Sequence, residues 1–402
     1  MTGPPCGFDT HYPNYFPARQ GCSDAIKAMQ EAGMRVIPYI NGQLYDTRIP
    51  RWKEDDATAS VQKFAAETMA TDEHQPALSP HLEHFDGITS AVMCPHTSYW
   101  HGVMKDTMIK IVNEVGFDGV YVDQVGNGEQ RNCADPTHNH TINGGSFWAE
   151  AFYSIMADVR AGVKQKSMFM TEGIVEEVSG AAFDIMLGLD WTELPLWHTI
   201  YGGWGYATGH ATTGAGLASG LLTQLTDQFM AGGTMGWFTY QDQKDAFFDP
   251  ANAGRVEYIQ KLSQARIVAK AWMVHGRATR SVALNDPSGV LKGSCFVRGD
   301  DTPGETPSVA CAVASAANST SSYTLNMAPA RYGLHVPPGS HVVLSVLMKG
   351  GGSSSNSAAG ASPLRLILGT FASGSNITHS AAVAGYDVQV LKLEVQHDAS
   401  AQ

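Results

Sequence analysis

Nowhere do the 402 residues hold an unbroken apolar run of the roughly 18 residues that a membrane-crossing helix needs, so no membrane partner is expected. Basic residues are also scarce: 26 Lys and Arg stand against 38 Asp and Glu, a net charge of −12. A nucleic-acid binder needs a positive face to neutralise phosphates, so this balance argues against nucleic acid as a partner. The six cysteines (Cys6, Cys22, Cys94, Cys133, Cys295, Cys311) make no CxxC pair and no zinc-ribbon spacing. No GxGxxG or GxxxxGK[ST] follows any apolar run, which removes the best signature of a nucleotide-binding sheet, and no cofactor is expected. The opening MTGPPCGFDTHYPNY has no charged start followed by an apolar core, so no signal peptide is read there. Sequons at Asn139, Asn318 and Asn376 are compatible with secretion, and localisation and oligomeric state stay open.

What is present is a chain 43% hydrophobic, too apolar for disorder and long enough for one large domain plus a smaller one. From residue 22 to about residue 275 short apolar runs alternate with helical patterns, the mark of parallel βαβ units. CSDAIKAMQEAG (22–33) is a helix with Gly33 as its stop, and RVIPYI (35–40) a strand. A loop of about sixty residues rich in His, Pro and Asp comes next, longer than a plain connection. The helix HGVMKDTMIKIVNEVG (101–116) then feeds the strand GVYVD (119–123), and SFWAEAFYSIMADVRAG (146–162) feeds MFMTE (168–172). AFDIMLGLD (182–190), LPLWHTIYG (194–202) and TMGWFTY (234–240) read as further strands, with helices over 216–233 and 251–275. Six strands in one series favour a (β/α)8 barrel over an open sheet. If TMGWFTY is the eighth, RVIPYI is the third, and the chain is expected to lack the first strands of the barrel. From residue 277 short β runs separated by turn residues indicate a C-terminal antiparallel β-sandwich. The expected domains are therefore 1–276 and 277–402, the second carrying a disordered Gly/Ser loop at 350–362. Cys295 and Cys311 either pair across strands of that sandwich or stay as buried thiols.

In such a barrel the chemistry sits at the C-terminal ends of the strands. Asp123 and Glu172 end consecutive strands. Neighbouring parallel strands lie about 4.8 Å apart, so the two carboxylates can approach to roughly 5–6 Å, the separation a retaining glycosidase uses. The plainer reading of Asp123 is a carboxylate capping the following loop. Rivals to Glu172 are Glu176, Asp184 and Asp190, with Asp190 the alternative acid. Asp118, at the start of its strand, reads as structural.

GFDGVYVDQ, CADPTHNHTINGGSFW, MFMTEGIVE, LPLWHTIYGGW and FMAGGTMGWFTYQ, with FDTHYPNYFPARQGCSDAIKAMQEAGMRVIPYINGQLYD before them, resemble a barrel family of unknown function, number 6259, related to glycoside hydrolases. The similarity covers about residues 8–275 in several separated motifs. Asp on strand four and Glu on strand five is similar to the layout of the alpha-amylase clan and the endo-alpha-N-acetylgalactosaminidases. That resemblance implies Asp123 as nucleophile, Glu172 as acid/base and a carbohydrate substrate. The missing opening strands are the departure from the pattern.

Cys133, Asp135, His138 and His140 lie within eight residues after Asp123 and have the chemistry of zinc ligands, though no standard spacing. Loops over a sugar site use the same residue types for hydroxyl contacts. Aromatic side chains stack on sugar C–H faces, though each taken singly is more often part of a core than a ligand platform. Tyr39, Trp191, Tyr201, Trp204 and Trp237 are the candidates near strand ends, with Asp9, His11, Asn41, Gln124, His138, His140 and Glu176 as polar substrate contacts. Three functions are thus weighed: a retaining glycoside hydrolase, a metal-dependent hydrolase using the Cys133–His140 loop, and a non-catalytic carbohydrate-binding barrel.

Overall fold

The computed structural model describes residues 10–65, 78–85, 87–126, 132–164, 166–173, 182–188, 196–203, 205–209, 219–236, 245–279, 283–299, 306–348, 366–372 and 374–397. The chain divides into two compact units, Met1–Leu187 and Gly188–Gln402. No described helix is long and apolar enough to cross a membrane.

The first unit holds a parallel run of four strands. Helix α1 (Cys22–Glu31) is followed by Gly33 at φ 88°, a left-handed stop as its glycine foreshadows. Strand β1 is Tyr39–Asn41, shorter than the run 35–40 predicts because Pro38 has no N–H for a ladder. Its neighbour still bonds back along the segment, Tyr121 N–H to the Pro38 carbonyl at 2.8 Å and Asp118 N–H to that of Val36 at 2.9 Å. Among the described residues no strand precedes β1. The segment that reads as one long loop is instead built up: β2 (Leu44–Asp46), β3 (Leu82–Phe85) and β4 (Ile88–Val92) form an antiparallel sheet in the order β2–β4–β3. Helix α2 (Ser98–Lys110) leads through a π-type turn to β5 (Gly119–Asp123), and helix α3 (Phe147–Gly162) to β6 (Met168–Glu172). Strand β7 (Ile185–Gly188) follows, and β1, β5, β6 and β7 pair in parallel in that order.

Alternation along these strands separates two environments. Ile40, Val120, Val122 and Phe169 face a core shared with Trp100, Met104 and Met108 of α2 and Phe152, Ile155 and Val159 of α3. Burying each such side chain contributes about 1.5–3 kcal/mol, so this layer fixes the register. The residues between them, Tyr39, Asn41, Tyr121, Asp123, Met170 and Glu172, occupy the opposite face. Gly119 permits the close start of β5 on β6, since a Cβ there would stand 1.6 Å from the Met168 carbonyl oxygen.

In the second unit, helices α4 (Ser219–Met230) and α5 (Ala253–Val268) precede the sandwich, the predicted helix over 251–275 breaking at Ala269 before Lys270–Met273. The segment 194–202, predicted as a strand, is helical over Leu196–Tyr201. Its aromatic residues sit four apart, Trp197 against Tyr201 at 5.8 Å, which suits a helix face rather than a pleat. The predicted strand 234–240 lies mostly outside the described residues, with Thr234 in a single bridge to Thr208.

Strands β8 (Leu291–Arg298), β9 (Ser308–Ser315), β10 (Ser321–Met327), β11 (Ser340–Met348), β12 (Leu366–Ala372), β13 (Ile377–Val383) and β14 (Asp387–His397) form two antiparallel sheets. The larger runs 277–278, β8, β9, β14, β11, β12, and the smaller 283–285, β10, β13. Val309, Cys311 and Val313 of β9 point into the core between them, while Ala310, Ala312 and Ala314 point to a second core against α4 and α5. Small alanines let the helices lie close to the sheet. Cys295 and Cys311, directly opposite in the β8–β9 ladder, form a disulfide. The Gly/Ser stretch 350–362 lies outside the described residues.

Candidate active site

The site grows from the end of β5. Asp123 is 7% exposed, and its carboxylate oxygens accept the phenol hydrogens of Tyr39 at 2.5 Å and of Tyr121 at a longer 3.4 Å. Tyr39 reaches it from the next strand because Tyr39 pairs with Tyr121 and Asn41 with Asp123. Gly42 follows at once, its N–H donating to the Asp123 carbonyl at 2.9 Å. A Cβ on Gly42 would lie 2.8 Å from that carbonyl oxygen and 2.7 Å from Cγ2 of Val125, so only glycine permits this approach.

Glu172 ends β6 one strand away. Val122 pairs with Thr171, so the next residues on, Asp123 and Glu172, close their strands at the same level and on the same face. Tyr121 senses both: burial first, then the charges of Asp123 and Glu172, push its phenol well above the ordinary range, so it stays a neutral donor.

Around this pair lies a polar ring. Asn41, 1% exposed, accepts from the backbone N–H groups of Gln43 and Leu44 and donates to Oε1 of Gln124 at 2.8 Å. Gln124 holds a left-handed φ of 56° and donates to Glu83 at 3.3 Å; Gln43 donates to the other oxygen of Glu83 at 3.0 Å. His11, at φ 62°, is anchored by its N–H to Asp46 at 3.0 Å, and its ring Nδ1 is buried with no hydrogen-bond partner among the described residues. Non-glycine residues at positive φ store strain and tend to collect at functional sites. Burial favours the neutral form of Asp46, but the Arg48 guanidinium and two backbone N–H groups outweigh it and lower its pKa to about 2. The Tyr12 ring lies tilted between those of Tyr15 and Tyr39, with centroids 5.4 and 6.3 Å away, and the Tyr15 hydroxyl accepts from the Asn41 N–H at 2.9 Å.

The structure therefore brings Tyr39, Asn41, Asp123 and Gln124 together, with Glu172 at the same strand level. His138 and His140 go elsewhere: Nδ1 of His138 lies 3.3 Å from Sγ of Cys133, and Nε2 of His140 lies 3.5 Å from Sγ of Cys94. Asp135 is not among these groups as a ligand; Lys63 holds it at 2.5 Å, and it caps Thr137 at 2.9 Å. Tyr201 belongs to the second unit, packed on Trp197. Asp9, Glu176, Asp190, Trp191, Trp204 and Trp237 lie outside the described residues. Sequence reasoning missed Tyr121, Gln43, Glu83 and Cys94. Tyr121 alone had a signal, since it shares the face of Asp123 two residues on.

A family model described as "Domain of unknown function (DUF6259)" matches residues 4–209, just over half of the chain. A provisionally named glycoside hydrolase from Bacteroides thetaiotaomicron is 30% identical over 200 residues, 48% of this chain and 28% of that protein. A second, numbered 22789, from Monosiga brevicollis is 24% identical over 312 residues, 69% of this chain and 25% of that protein. The chain thus spans about a quarter of the length of these relatives. Among solved structures, an alpha-amylase from Geobacillus thermoleovorans superposes with a TM-score of 0.52 at 9% identity, over 92% of this chain and 80% of that one. A maltogenic alpha-amylase from Thermotoga neapolitana gives 0.51 at 11%, with the same coverage of 92% and 80%. Likeness at this identity speaks for fold alone: the mixed α/β architecture of the TIM-barrel glycoside hydrolases, with a parallel sheet and antiparallel sheets.

Proposed function

The chain belongs to the DUF6259 family, and from that premise we propose that it is a retaining glycoside hydrolase acting on an oligo- or polysaccharide. The observation that carries the reading is the pairing of Asp123 and Glu172 at one level on adjacent parallel strands, with Tyr121 beside both. The names of its relatives and the likeness to alpha-amylases support it.

In this proposal Asp123 attacks the anomeric carbon as the bond to the leaving oxygen breaks, and Glu172 gives its proton to that oxygen. Water then attacks the same carbon, Glu172 takes the water's proton, and the Asp123–sugar ester opens to restore the carboxylate. Tyr39 holds Asp123 in line and stabilises it as it leaves with a negative charge. Asn41, Gln124 and His11 offer hydrogen bonds to sugar hydroxyls, with Glu83 fixing the amides. Asp9, Glu176, Trp191, Tyr201, Trp204 and Trp237 complete the proposed sugar contacts, Asp190 is the alternative acid, and the barrel is proposed to end near residue 276.

A panel of aryl glycosides tests this with the wild type, Asp123→Asn and Glu172→Gln. Asp123→Asn should fall to background on every substrate. Glu172→Gln should lose about 10²–10⁴-fold on poor leaving groups and far less on activated ones, because general-acid help matters only where the oxygen needs a proton. Turnover unaffected by Asp123→Asn defeats the proposal. Sugar binding without turnover in the wild type instead favours a carbohydrate-binding barrel.

A further inference from the structure

Away from the two carboxylates, Cys94, Cys133, His138 and His140 each turn one ligand atom toward a common centre, all of them within 4.8 Å of one another. Cys133, His138 and His140 come from the segment after Asp123, whereas Cys94 lies two residues past β4, and 46 positions separate Cys94 from His140. The convergence is built into the backbone. Asn139 adopts a left-handed φ of 58° with its side chain exposed, which turns the flanking histidines to one side. The Cys94 N–H donates to the Ser60 carbonyl at 2.8 Å, Ala134 N–H to Lys63 at 2.6 Å, and Asn143 N–H to Cys133 at 3.0 Å.

The outer nitrogens are committed in the way metal-binding histidines require. Nε2 of His138 points to the Ala59 carbonyl at 2.9 Å, with Asp135 at 3.5 Å, leaving Nδ1 for the centre. Nδ1 of His140 points to the Thr141 carbonyl at 2.9 Å, leaving Nε2. His140 is further braced by stacking on Phe147, with centroids 4.2 Å apart. Zinc bonds of about 2.3 Å to sulfur and about 2.0–2.1 Å to nitrogen in a tetrahedron put S and N roughly 3.5 Å apart. Two of the four sulfur–nitrogen pairs stand at 3.5 Å (Cys94–His140) and 3.3 Å (Cys133–His138), and the rest lie within 4.8 Å.

We propose that Cys94, Cys133, His138 and His140 form a structural Zn²⁺ site that pins the loop after Asp123 to the segment leading into α2. Each thiol releases its proton to solvent on coordination, so two thiolates and one Zn²⁺ make a neutral centre that suits burial. Four protein ligands leave no open position for water or substrate, which separates this site from a catalytic metal. It also removes His138 and His140 from the sugar-contacting set. The proposal stands apart from the glycosidase reading.

The full chain, untagged and purified without chelator, should carry one zinc per molecule by elemental analysis. Cys133→Ser and His140→Gln should lose it. His96→Gln should keep it, because the His96 ring bonds the His138 carbonyl outside the ligand set. Asp135→Asn should weaken zinc about tenfold, the low end for an outer partner, since the Ala59 carbonyl still orients His138. If the ligand variants do not fold, cobalt(II) exchanged into the wild type should show thiolate-to-metal charge-transfer bands. Metal-free folded protein, a Cys94–Cys133 disulfide on peptide mapping, zinc retained by Cys133→Ser, or cobalt without thiolate bands would each overturn the site.

Discussion

A single side chain's meaning here depends on a neighbour far away in sequence. Asp123 was legible as a strand-end carboxylate, but its partners Tyr39 and Tyr121 decide what it can do. Tyr39→Phe removes a charge-assisted hydrogen bond, worth about 1.5–3 kcal/mol or roughly 10- to 150-fold in rate. If Asp123 leaves as a carboxylate in the second step, kcat should fall by that factor, and KM should fall with it as the glycosyl-enzyme accumulates. Steady-state kinetics with an activated substrate checks both, and an unchanged kcat contradicts the role. Asp46 carries a pH signature. Its pKa of about 2 lies below an unfolded value near 3.9, so its contribution to stability is complete above about pH 4 and is lost as the pH falls toward 2. Asp46→Asn should therefore be less stable than the wild type near pH 6 by denaturant titration, with the gap closing below about pH 3. Cys94 shows the limit of sequence reading: a lone cysteine has no spacing signal, and only the fold carries it to Cys133, His138 and His140. Asp135, adjacent in sequence to those residues, looked like a ligand until Lys63 was found holding it.

At the scale of elements, the strands that were legible are those with at least one face wholly buried, GVYVD along its whole length and MFMTE at Phe169 and Thr171. GVYVD and MFMTE run at their expected positions because helix packing on one side and the site on the other leave no alternative register. The short strands β2, β3 and β4 escaped notice because three to five residues carry too little alternation, and β13 because its Thr, His and Ser read as loop. LPLWHTIYG misled through its apolar density; buried His198, whose Nε2 bonds the Met273 carbonyl at 2.8 Å, needed a helix to place it. The turn after β1 offers a sharp test. Gly42→Ala forces a Cβ against the Asp123 carbonyl and Val125, so it should destabilise the protein by about 1–3 kcal/mol and depress turnover more than stability alone explains. Thermal denaturation and kinetics on the same preparation separate the two effects. A neutral Gly42→Ala would mean the turn has slack that the geometry denies.

At the scale of the molecule, the passage from alternating helices and strands to β runs alone was legible from the change in periodicity near residue 277. Less legible was that the larger sandwich sheet buries both faces, one on the smaller sheet and one on α4 and α5, which the alanines of β9 make possible. The disulfide joins residues 16 apart on β8 and β9. Replacing both cysteines with alanine should lower the stability of Gly188–Gln402 by about 2–4 kcal/mol, read as an earlier denaturant midpoint. The central claim, that Asp123 is the nucleophile of a retaining glycosidase, is tested most directly by trapping. Incubation with an activated fluoroglycoside whose glycosyl-enzyme turns over slowly, followed by peptide mass spectrometry, should find one sugar on the peptide containing Asp123. A sugar on any other carboxylate, or none with an inhibitor that the enzyme turns over, would contradict it.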